Sequence, residues 1–270
     1  MAYQAQGGIA VDKTASHLII HVPHASTVIP DEVRYQFAIS DAELRSELLA
    51  LTDWYTDDLF FVPEVCGTTI DFPISRFVVD PERFENDDDE VMADRGMGVI
   101  YSRGSTGRPI RHPLTPDERE ALLAGWYRPH WRRLDDTVEA ALRHHGRCLI
   151  IDAHSFPDRP LPVHAGQYGT SRTSDICLGT SPIHTSSALL DSACAEFESH
   201  GLTVSIDTPF QGTIVPTRHL GTNPHVQSIM IEVNRRLYMD EETGRKSSSY
   251  QQTKSAVNSA LVRLFNTESP

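Results

Sequence analysis

Short runs of apolar, mostly β-branched residues alternate along the chain with segments of helical periodicity. The short runs predict strands, and several are apolar on both faces, as in strands that helices cover on each side. Their alternation with helices predicts a three-layer α/β fold around a mostly parallel or mixed sheet. The predicted strands are His17–Val22, Thr68–Asp71, Arg76–Val79, Cys148–Asp152, Asp175–Leu178, Thr203–Ile206 and Ser228–Val233.

Capping signals locate two of the helices. Ser40 and Thr115 each stand three residues before a glutamate, which is the pattern of a capping box at a helix start. The helix after Thr115 is expected to end near Gly146, with a kink at Pro129, because proline has no amide hydrogen to donate. Two further helical patterns cover Ser187–His200 and Ser247–Phe265.

Length and composition predict one globular catalytic domain over residues 1–270. The chain has 39% hydrophobic residues, enough for a sizeable core, and no Pro/Gly/Ser-rich linker divides it. The long polar segment Phe156–Ser174 is expected to be a functional loop, such as a lid over a site. The acidic run Glu85–Glu90 is typical of a solvated loop, with a mobile flap as the alternative.

The charge balance bears on partners and location. A formal net charge of −13 repels phosphate backbones and acidic membranes, so we expect neither nucleic acid nor membrane as a partner. No stretch reaches the roughly 20 apolar residues that cross a bilayer. Four cysteines without a CxxC pair and an N-terminus without a signal pattern predict a cytoplasmic protein with reduced thiols. The sequence does not indicate the oligomeric state.

Polar residues follow or end three of the predicted strands. His21 and His24 come at the end of the first, Asp152 and His154 follow CLII, and Glu232 lies in IMIEV. Because ligands bind beyond the carboxyl ends of strands in α/β sheets, these side chains are expected to converge. Two imidazoles and a carboxylate are the ligands of a catalytic Zn²⁺ ion, with water in the open position.

Each of these residues also has an ordinary structural interpretation. A single strand-end histidine is usually only hydrogen-bonded, but two of them, one preceded by Asp152, favour a metal site. Asp152 is expected to lie behind His154 and to fix its tautomer. Burial would raise the pKa of Glu232 toward that of a general base, and the alternative is a buried ion pair with Arg235.

The third metal ligand stays open among acidic residues and a further histidine. Asp53 and Asp57 lie four residues apart and would share a face if their segment is helical. His21, three residues before His24, is another alternative. We prefer Asp53.

Arginines next to these segments are candidates for binding an anionic substrate. Guanidinium groups bind carboxylates through two hydrogen bonds and can stabilise an oxyanion. Arg76 and Arg83 flank a predicted strand, and Arg235 follows Glu232 by three residues. The signatures of serine hydrolases, P-loop enzymes, dinucleotide enzymes and HExxH metalloproteases are all missing from the sequence.

An ordered set of motifs covers nearly the whole chain. The motifs are VPHAS with a following IP, TDWYTDDL, SRFVVDPER, GMGVIY, IIDAHSFP, DICLGT, TPFQGT and IEVNRRLYMD. Together they resemble the N-formylglutamate amidohydrolase family. The resemblance implies hydrolysis of N-formyl-L-glutamate to formate and L-glutamate, the last step of one bacterial histidine-degradation route. It also implies a fold similar to zinc-dependent exopeptidases and aspartoacylase-like deacylases.

The resemblance also implies roles for particular residues. His24 and His154 look like the two zinc histidines, Glu232 like the catalytic glutamate, and Arg83 like the arginine of the deacylases' DxNR motif. Glu82 replaces the asparagine of that motif, and the HxxE pair of the exopeptidases is absent because Thr27 follows His24 by three. The acidic ligand is therefore expected elsewhere, at Asp53.

The combined expectation is an amidohydrolase that uses one divalent metal, with zinc preferred over cobalt, manganese or iron. Arg76, Arg83 and Arg235 are expected to bind a small anionic N-acyl amino acid, and Arg83 also to stabilise the oxyanion. One alternative is a deacylase of another N-acyl amino acid or of a peptidoglycan-type amide. A non-enzymatic alternative is a protein that only binds metal or a small molecule.

Overall fold

A computed structural model describes residues 16–63, 65, 67–164 and 174–267, and these form six strands and six α-helices. The strands are β1 (Leu18–Val22), β2 (Thr68–Asp71), β3 (Cys148–Phe156), β4 (Ile176–Gly179), β5 (Val204–Ile206) and β6 (Val226–Asn234). The helices are α1 (Asp41–Leu51), α2 (Thr56–Leu59), α3 (Pro116–Leu122), α4 (Arg128–His145), α5 (Ser187–Ser199) and α6 (Tyr250–Thr267).

The strands form one sheet in the order β2-β1-β3-β6-β4-β5. The first four run parallel to one another, whereas β4 is antiparallel to β6 and β5 runs parallel to β4. The expected α/β fold with a mostly parallel sheet is therefore confirmed. The four parallel strands end at the same edge of the sheet, where the predicted site residues are found.

Alternate residues of each strand point to opposite faces of the sheet. Helices cover both faces, so the residues on both sides are buried. Leu18 and Ile151 pack into the cluster that contains α5 and α6. Ile19 and Ile150 point to the other side and pack against Leu134 of α4. We call this second side the α4 face. The sheet is thus the middle layer of three.

Both predicted capping boxes are present. Ser40 and Thr115 each accept a hydrogen bond from the amide three residues later, and α4 ends at Gly146, whose φ of 70° suits glycine. The predicted distortion at Pro129 takes the form of a π-helical segment, Leu123–Tyr127, between α3 and α4. A π-turn accommodates a residue that cannot donate to the preceding turn.

The predicted strand Arg76–Val79 is wrong, because this segment forms a turn. Phe77, Val78 and Val79 are fully buried, but the carbonyls of the first two accept hydrogen bonds from a side chain rather than from a neighbouring strand. The buried guanidinium of Arg111 donates to the carbonyls of Phe77 and Val78. An apolar run alone could not distinguish this arrangement from a strand.

Two predictions about loops have different outcomes. Part of the run Glu85–Glu90 is exposed and forms a short 3₁₀ helix over Asp87–Asp89, but Glu90 is buried and accepts hydrogen bonds from the amides of Phe84 and Met92. The run is therefore only partly a solvated loop. Residues 165–173 of the segment predicted as a lid, Phe156–Ser174, lie outside the described residues.

Cys148 and Cys177 are buried free thiols, and burial raises the pKa of Cys148 to about 12. Cys66 lies outside the described residues. Among the helices of the described ranges, none combines the length and the apolar content that a bilayer span needs.

A glycine at the end of β4 is expected to be intolerant of any side chain. A Cβ atom at Gly179 would lie 2.2 Å from the carbonyl oxygen of Gly212 and 2.4 Å from Cε of Met230. We expect Gly179→Ala to lower the free energy of unfolding by about 1 to 3 kcal/mol through overpacking. Urea denaturation would measure this.

Gly125 provides the matched control, since a Cβ there meets no atom within 4 Å. Gly125→Ala should be neutral or stabilising by up to about 1 kcal/mol, because alanine restricts the unfolded chain. Equal stability of the two alanine variants would contradict the packing argument.

Candidate functional site

The predicted site residues meet on the α4 face, at the carboxyl ends of β1, β3 and β6. His21 is the register partner of Asp152, and His154 is the partner of Glu232. Register partners in parallel strands point to the same face, so these four side chains share one side of the sheet. The polar residues lie within the strands rather than after them, because β3 stays paired with β6 as far as Phe156.

His24, two residues beyond β1, has one ring nitrogen that is hydrogen-bonded and one that has no hydrogen-bond partner among the described residues. Its Nε2 atom lies 2.8 Å from Oδ1 of Asp80. Its Nδ1 atom is buried without a hydrogen-bond partner among the described residues and faces Oδ2 of Asp53 at 3.6 Å and Oε2 of Glu82 at 3.7 Å. If Nε2 donates to Asp80, the lone pair of Nδ1 is directed at these carboxylates, an arrangement that suits a cation between them.

His154 also lies among carboxylates, but both of its ring nitrogens have hydrogen-bond partners. Its Nδ1 atom lies 3.0 Å from Oδ2 of Asp53, and its Nε2 atom lies 3.2 Å from Oδ1 of Asp152 and 3.1 Å from Oε2 of Glu82. Asp152 therefore contacts Nε2 of His154 as Asp80 contacts Nε2 of His24. Both imidazoles turn their Nδ1 atoms toward Asp53.

The two oxygens of Asp53 have different surroundings. Oδ2 faces the two histidines, whereas Oδ1 accepts a hydrogen bond of 3.0 Å from Nη2 of Arg235. Burial raises the pKa of Asp53, but hydrogen bonds from His154 and the charge of His24 lower it more, so the carboxyl stays ionised. Asp57, the alternative ligand, is exposed and accepts from the amide of Asp58, away from the cluster.

Two groups of side chains bring ligand atoms within 4.8 Å of one another in the described part of the chain. One contains His24, Glu82 and His154, and the other contains His21, Glu82 and Asp152. Glu82 belongs to both groups, and Asp53, the preferred ligand, belongs to neither. Glu82 was not predicted as a ligand, because the resembling motif has asparagine there. The available sequence signal was its position in SRFVVDPER, between the candidate arginines Arg76 and Arg83.

Surrounding carboxylates also affect the histidines. Burial and Arg76 lower the pKa of His24, but Asp80 and Asp53 outweigh them, so the pKa is raised. Burial likewise opposes the charged form of His154, yet Glu82 and Asp152 raise its pKa well above the usual value. The pocket around the imidazoles is thus strongly anionic, which favours a cation.

The three predicted arginines are not equivalent. Arg76 donates to Asp80 at 2.9 Å, and Arg235 donates to Asp53 at 3.0 Å. The predicted alternative partner of Glu232, Arg235, is therefore ion-paired with Asp53. Arg83 lies 3.9 Å from Asp80, and its buried Nε atom has no hydrogen-bond partner within the described ranges. Of the three arginines, Arg83 therefore has the weakest contacts within the protein and is the most available to a substrate.

The π-helical segment and the start of α4 support the loop that carries these groups. The hydroxyl of Tyr127 donates to the carbonyl of Arg83 at 2.8 Å, and the indole of Trp131 donates to the carbonyl of Pro81 at 2.9 Å. His130, between them, contacts His21 at 2.9 Å. None of these contacts was predicted from the sequence, although π-turns are often located at functional sites.

A cavity of about 1510 Å³ opens over this cluster, and its lining includes Glu232, which is 7% exposed. Other lining residues are His24, Asp53, Arg76, Glu82, Arg83, Asp152, His154 and Arg235. The cavity therefore brings together imidazoles, carboxylates and guanidinium groups, which can bind a metal, move a proton and hold an anion.

Fold and site together define an α/β protein with a buried cluster of imidazoles and carboxylates at the carboxyl ends of parallel strands. The sequence model of the N-formylglutamate amidohydrolase family matches residues 16–239, and the chain belongs to this family of amide-bond hydrolases.

Solved structures show the same fold. The N-formylglutamate amidohydrolase from Ralstonia eutropha JMP134 is 22% identical, with a TM-score of 0.80 over 94% of this chain and 95% of that chain. A gene product from Agrobacterium tumefaciens is 19% identical, with a TM-score of 0.63 over 91% of this chain and 90% of that one. A search of curated proteins found no match.

Proposed function

We propose that the protein is a metal-dependent amidohydrolase that cleaves N-formyl-L-glutamate into formate and L-glutamate. The observation that carries the proposal is the buried Nδ1 atom of His24, which faces two carboxylates beside His154 and lacks a hydrogen bond in the described structure. The proposal places the enzyme in the cytoplasm, in histidine degradation, with a small dianionic substrate.

His24, His154 and Asp53 would hold the metal, through the two Nδ1 atoms and Oδ2. Neighbouring ligand atoms of a tetrahedral zinc ion lie about 3.3 Å apart, since its bonds are about 2.0 to 2.1 Å long. The spacings of 3.6 Å and 3.0 Å from Asp53 to the two imidazoles lie on either side of that value. Asp53 belongs to neither group whose ligand atoms all lie within 4.8 Å of one another, so the two imidazoles would have to move closer together around the ion. When bound, such an ion supplies Lewis acidity to the amide carbonyl and to water.

The chain's own residues would carry the proton and bind the anion. Glu232 would take a proton from the attacking water and deliver it to the amide nitrogen as the C–N bond breaks. Arg83, which has the weakest contacts within the protein, would donate to the substrate and to the oxyanion. Arg76 and Arg235 would act mainly by holding Asp80 and Asp53 in place.

A substrate panel tests this proposal. The purified enzyme should release formate from N-formyl-L-glutamate faster than from N-formyl-L-aspartate, and should release little acetate from N-acetyl-L-glutamate. A chelator should abolish the activity and Zn²⁺ should restore it, with the metal content measured by elemental analysis. Equal or better turnover of the acetyl compound would exclude formylglutamate as the preferred substrate.

The size of the cavity favours one second candidate, a deacylase of a larger N-acyl amino acid or a peptide-type amide. Its volume of about 1510 Å³ exceeds the roughly 300 to 1,000 Å³ of ordinary ligand pockets. In the same panel, this candidate predicts that turnover increases with the length of the acyl group. A decrease from formyl to acetyl would reject it.

A further inference from the structure

A chain of buried side chains leads from helix α4 to the metal-site histidine His154. Nε2 of His130 lies 2.9 Å from Nε2 of His21, and Nδ1 of His21 lies 2.9 Å from Oδ1 of Asp152. The same Asp152 oxygen lies 3.2 Å from Nε2 of His154. His130, His21 and Asp152 are at most 6% exposed, so water cannot readily replace any of these partners.

One placement of protons satisfies every contact in this chain. If His154 gives the lone pair of Nδ1 to a metal, its Nε2–H donates to Asp152. His21 then donates from Nδ1 to the same carboxylate oxygen and accepts at Nε2 from His130. Burial and the neighbouring His21 lower the pKa of His130 to about 2, so it is a neutral imidazole with a single N–H. All donors thus point toward Asp152.

The other oxygen of Asp152 is also held. Oδ2 accepts a hydrogen bond of 3.0 Å from the amide of Ile214. The carboxylate is therefore fixed from three sides, by β1 through His21, by the amide of Ile214 and by its own strand through His154. Only the contact with His21 depends on a partner in α4.

This hydrogen bonding distinguishes the group of His21, Glu82 and Asp152 from the site at His24. Nδ1 of His24 has no hydrogen-bond partner among the described residues, and both ring nitrogens of His154 face carboxylate oxygens, which can share a cation. Both ring nitrogens of His21 are also hydrogen-bonded, but its Nε2 faces the imidazole of His130. A second cation at His21 would have to displace a proton that already satisfies Asp152. The geometry therefore favours a supporting role for His21 over a second metal.

We propose that His130 and His21 are positioning residues that act through Asp152 to fix the tautomer and orientation of His154. The proposal deepens the proposed function, because it assumes that His154 binds a metal. Without His130, the buried Nε2 of His21 loses its donor and His21 can adopt the other tautomer. Its Nδ1 lone pair would then face Asp152, and the support of His154 would be lost.

The π-helical segment explains how α4 supplies this support. It immediately precedes Arg128 and Pro129, and the next residue, His130, enters the α4 face of the sheet beside Phe72, whose ring centroid lies 5.0 Å from its own. The neighbours Tyr127 and Trp131 bind the loop of Pro81 and Arg83. One short stretch of helix thus holds both the metal-site histidine and the substrate-binding loop.

Metal affinity tests the proposal without relying on activity. Apo-protein is titrated with Co²⁺, and the dissociation constant and the visible absorption of the bound ion are measured. His130→Phe should weaken binding by about 10-fold and alter the absorption band. This is the lower end of the roughly 10- to 100-fold effect of losing a direct partner of a ligating histidine, because His130 acts through His21 and Asp152. His130→Gln, which can still donate to His21, should restore most of the affinity.

Leu134→Ala is the matched control, because Leu134 is fully buried one turn further along α4 and lies outside the hydrogen-bonded chain. It should lower thermal stability while leaving the affinity for Co²⁺ and the absorption band unchanged. If His130→Phe does not fold, His130→Asn replaces it, since the shorter amide cannot reach His21.

An unchanged dissociation constant and band in His130→Phe would overturn the proposal. Two Co²⁺ ions per wild-type chain and one per His21→Asn chain would also overturn it, because His21 would then be a ligand. Failure of the proposed function shows separately, as a wild-type protein that binds Co²⁺ but does not hydrolyse N-formyl-L-glutamate.

Discussion

Glu232→Gln is expected to lower kcat for N-formyl-L-glutamate by about 10²- to 10⁴-fold, the usual contribution of a general acid–base group. Glu232 is the register partner of His154, points to the same face and lines the cavity. Glutamine keeps the shape but cannot accept the proton of the attacking water. Steady-state formate release, with metal content measured on the same samples, checks this prediction.

Asp207→Asn is the matched control for loss of one negative charge in the cavity. Asp207 also lines the cavity, but its carboxylate binds the amide and hydroxyl of Thr180 rather than the histidine cluster. Its φ of 51° suits asparagine. This variant should keep kcat near the wild-type value.

The same comparison bears on the non-enzymatic alternative. A protein that only binds metal has no need of a proton acceptor at Glu232. Loss of hydrolysis with retained metal in Glu232→Gln would therefore reject that alternative. Unchanged hydrolysis would instead remove Glu232 from the mechanism.

The sheet and the main site residues could be predicted because their signals are local. Six apolar runs became strands, and the polar residues His24, His154 and Glu232 stand out at or beyond the ends of three of them. Parallel strands bring their carboxyl ends to one edge, so the order of motifs along the chain was enough to predict convergence.

The contacts that were missed depend on tertiary partners. Arg76–Val79 has the composition of a strand, but it forms a turn in which the buried Arg111, more than thirty residues later, donates to the carbonyls of Phe77 and Val78. His130 lies on an amphipathic helix, where one histidine among apolar residues carries no signal of its own. Its contact with His21 depends on how α4 packs on the sheet, which local sequence does not specify.

Asp53→Asn is expected to lower the affinity for Zn²⁺ by at least about 100-fold, because it removes the charged oxygen between two imidazoles, a larger loss than that of an outer hydrogen bond. It also leaves the buried guanidinium of Arg235 without its charged partner, which should cost about 3 to 5 kcal/mol of the free energy of unfolding. Competition with a chelating dye and urea denaturation measure the two effects separately.

Two variants separate the metal from the ion pair. Arg235→Met should destabilise the apo-protein by a similar amount, because it leaves Asp53 buried without the guanidinium, yet Zn²⁺ should still bind and raise its melting temperature. Glu82→Gln should keep most of the affinity, because both Nδ1 atoms still face Asp53. If Glu82→Gln loses the metal and Asp53→Asn keeps it, the ligands are His24, Glu82 and His154, and Asp53 is only the partner of Arg235.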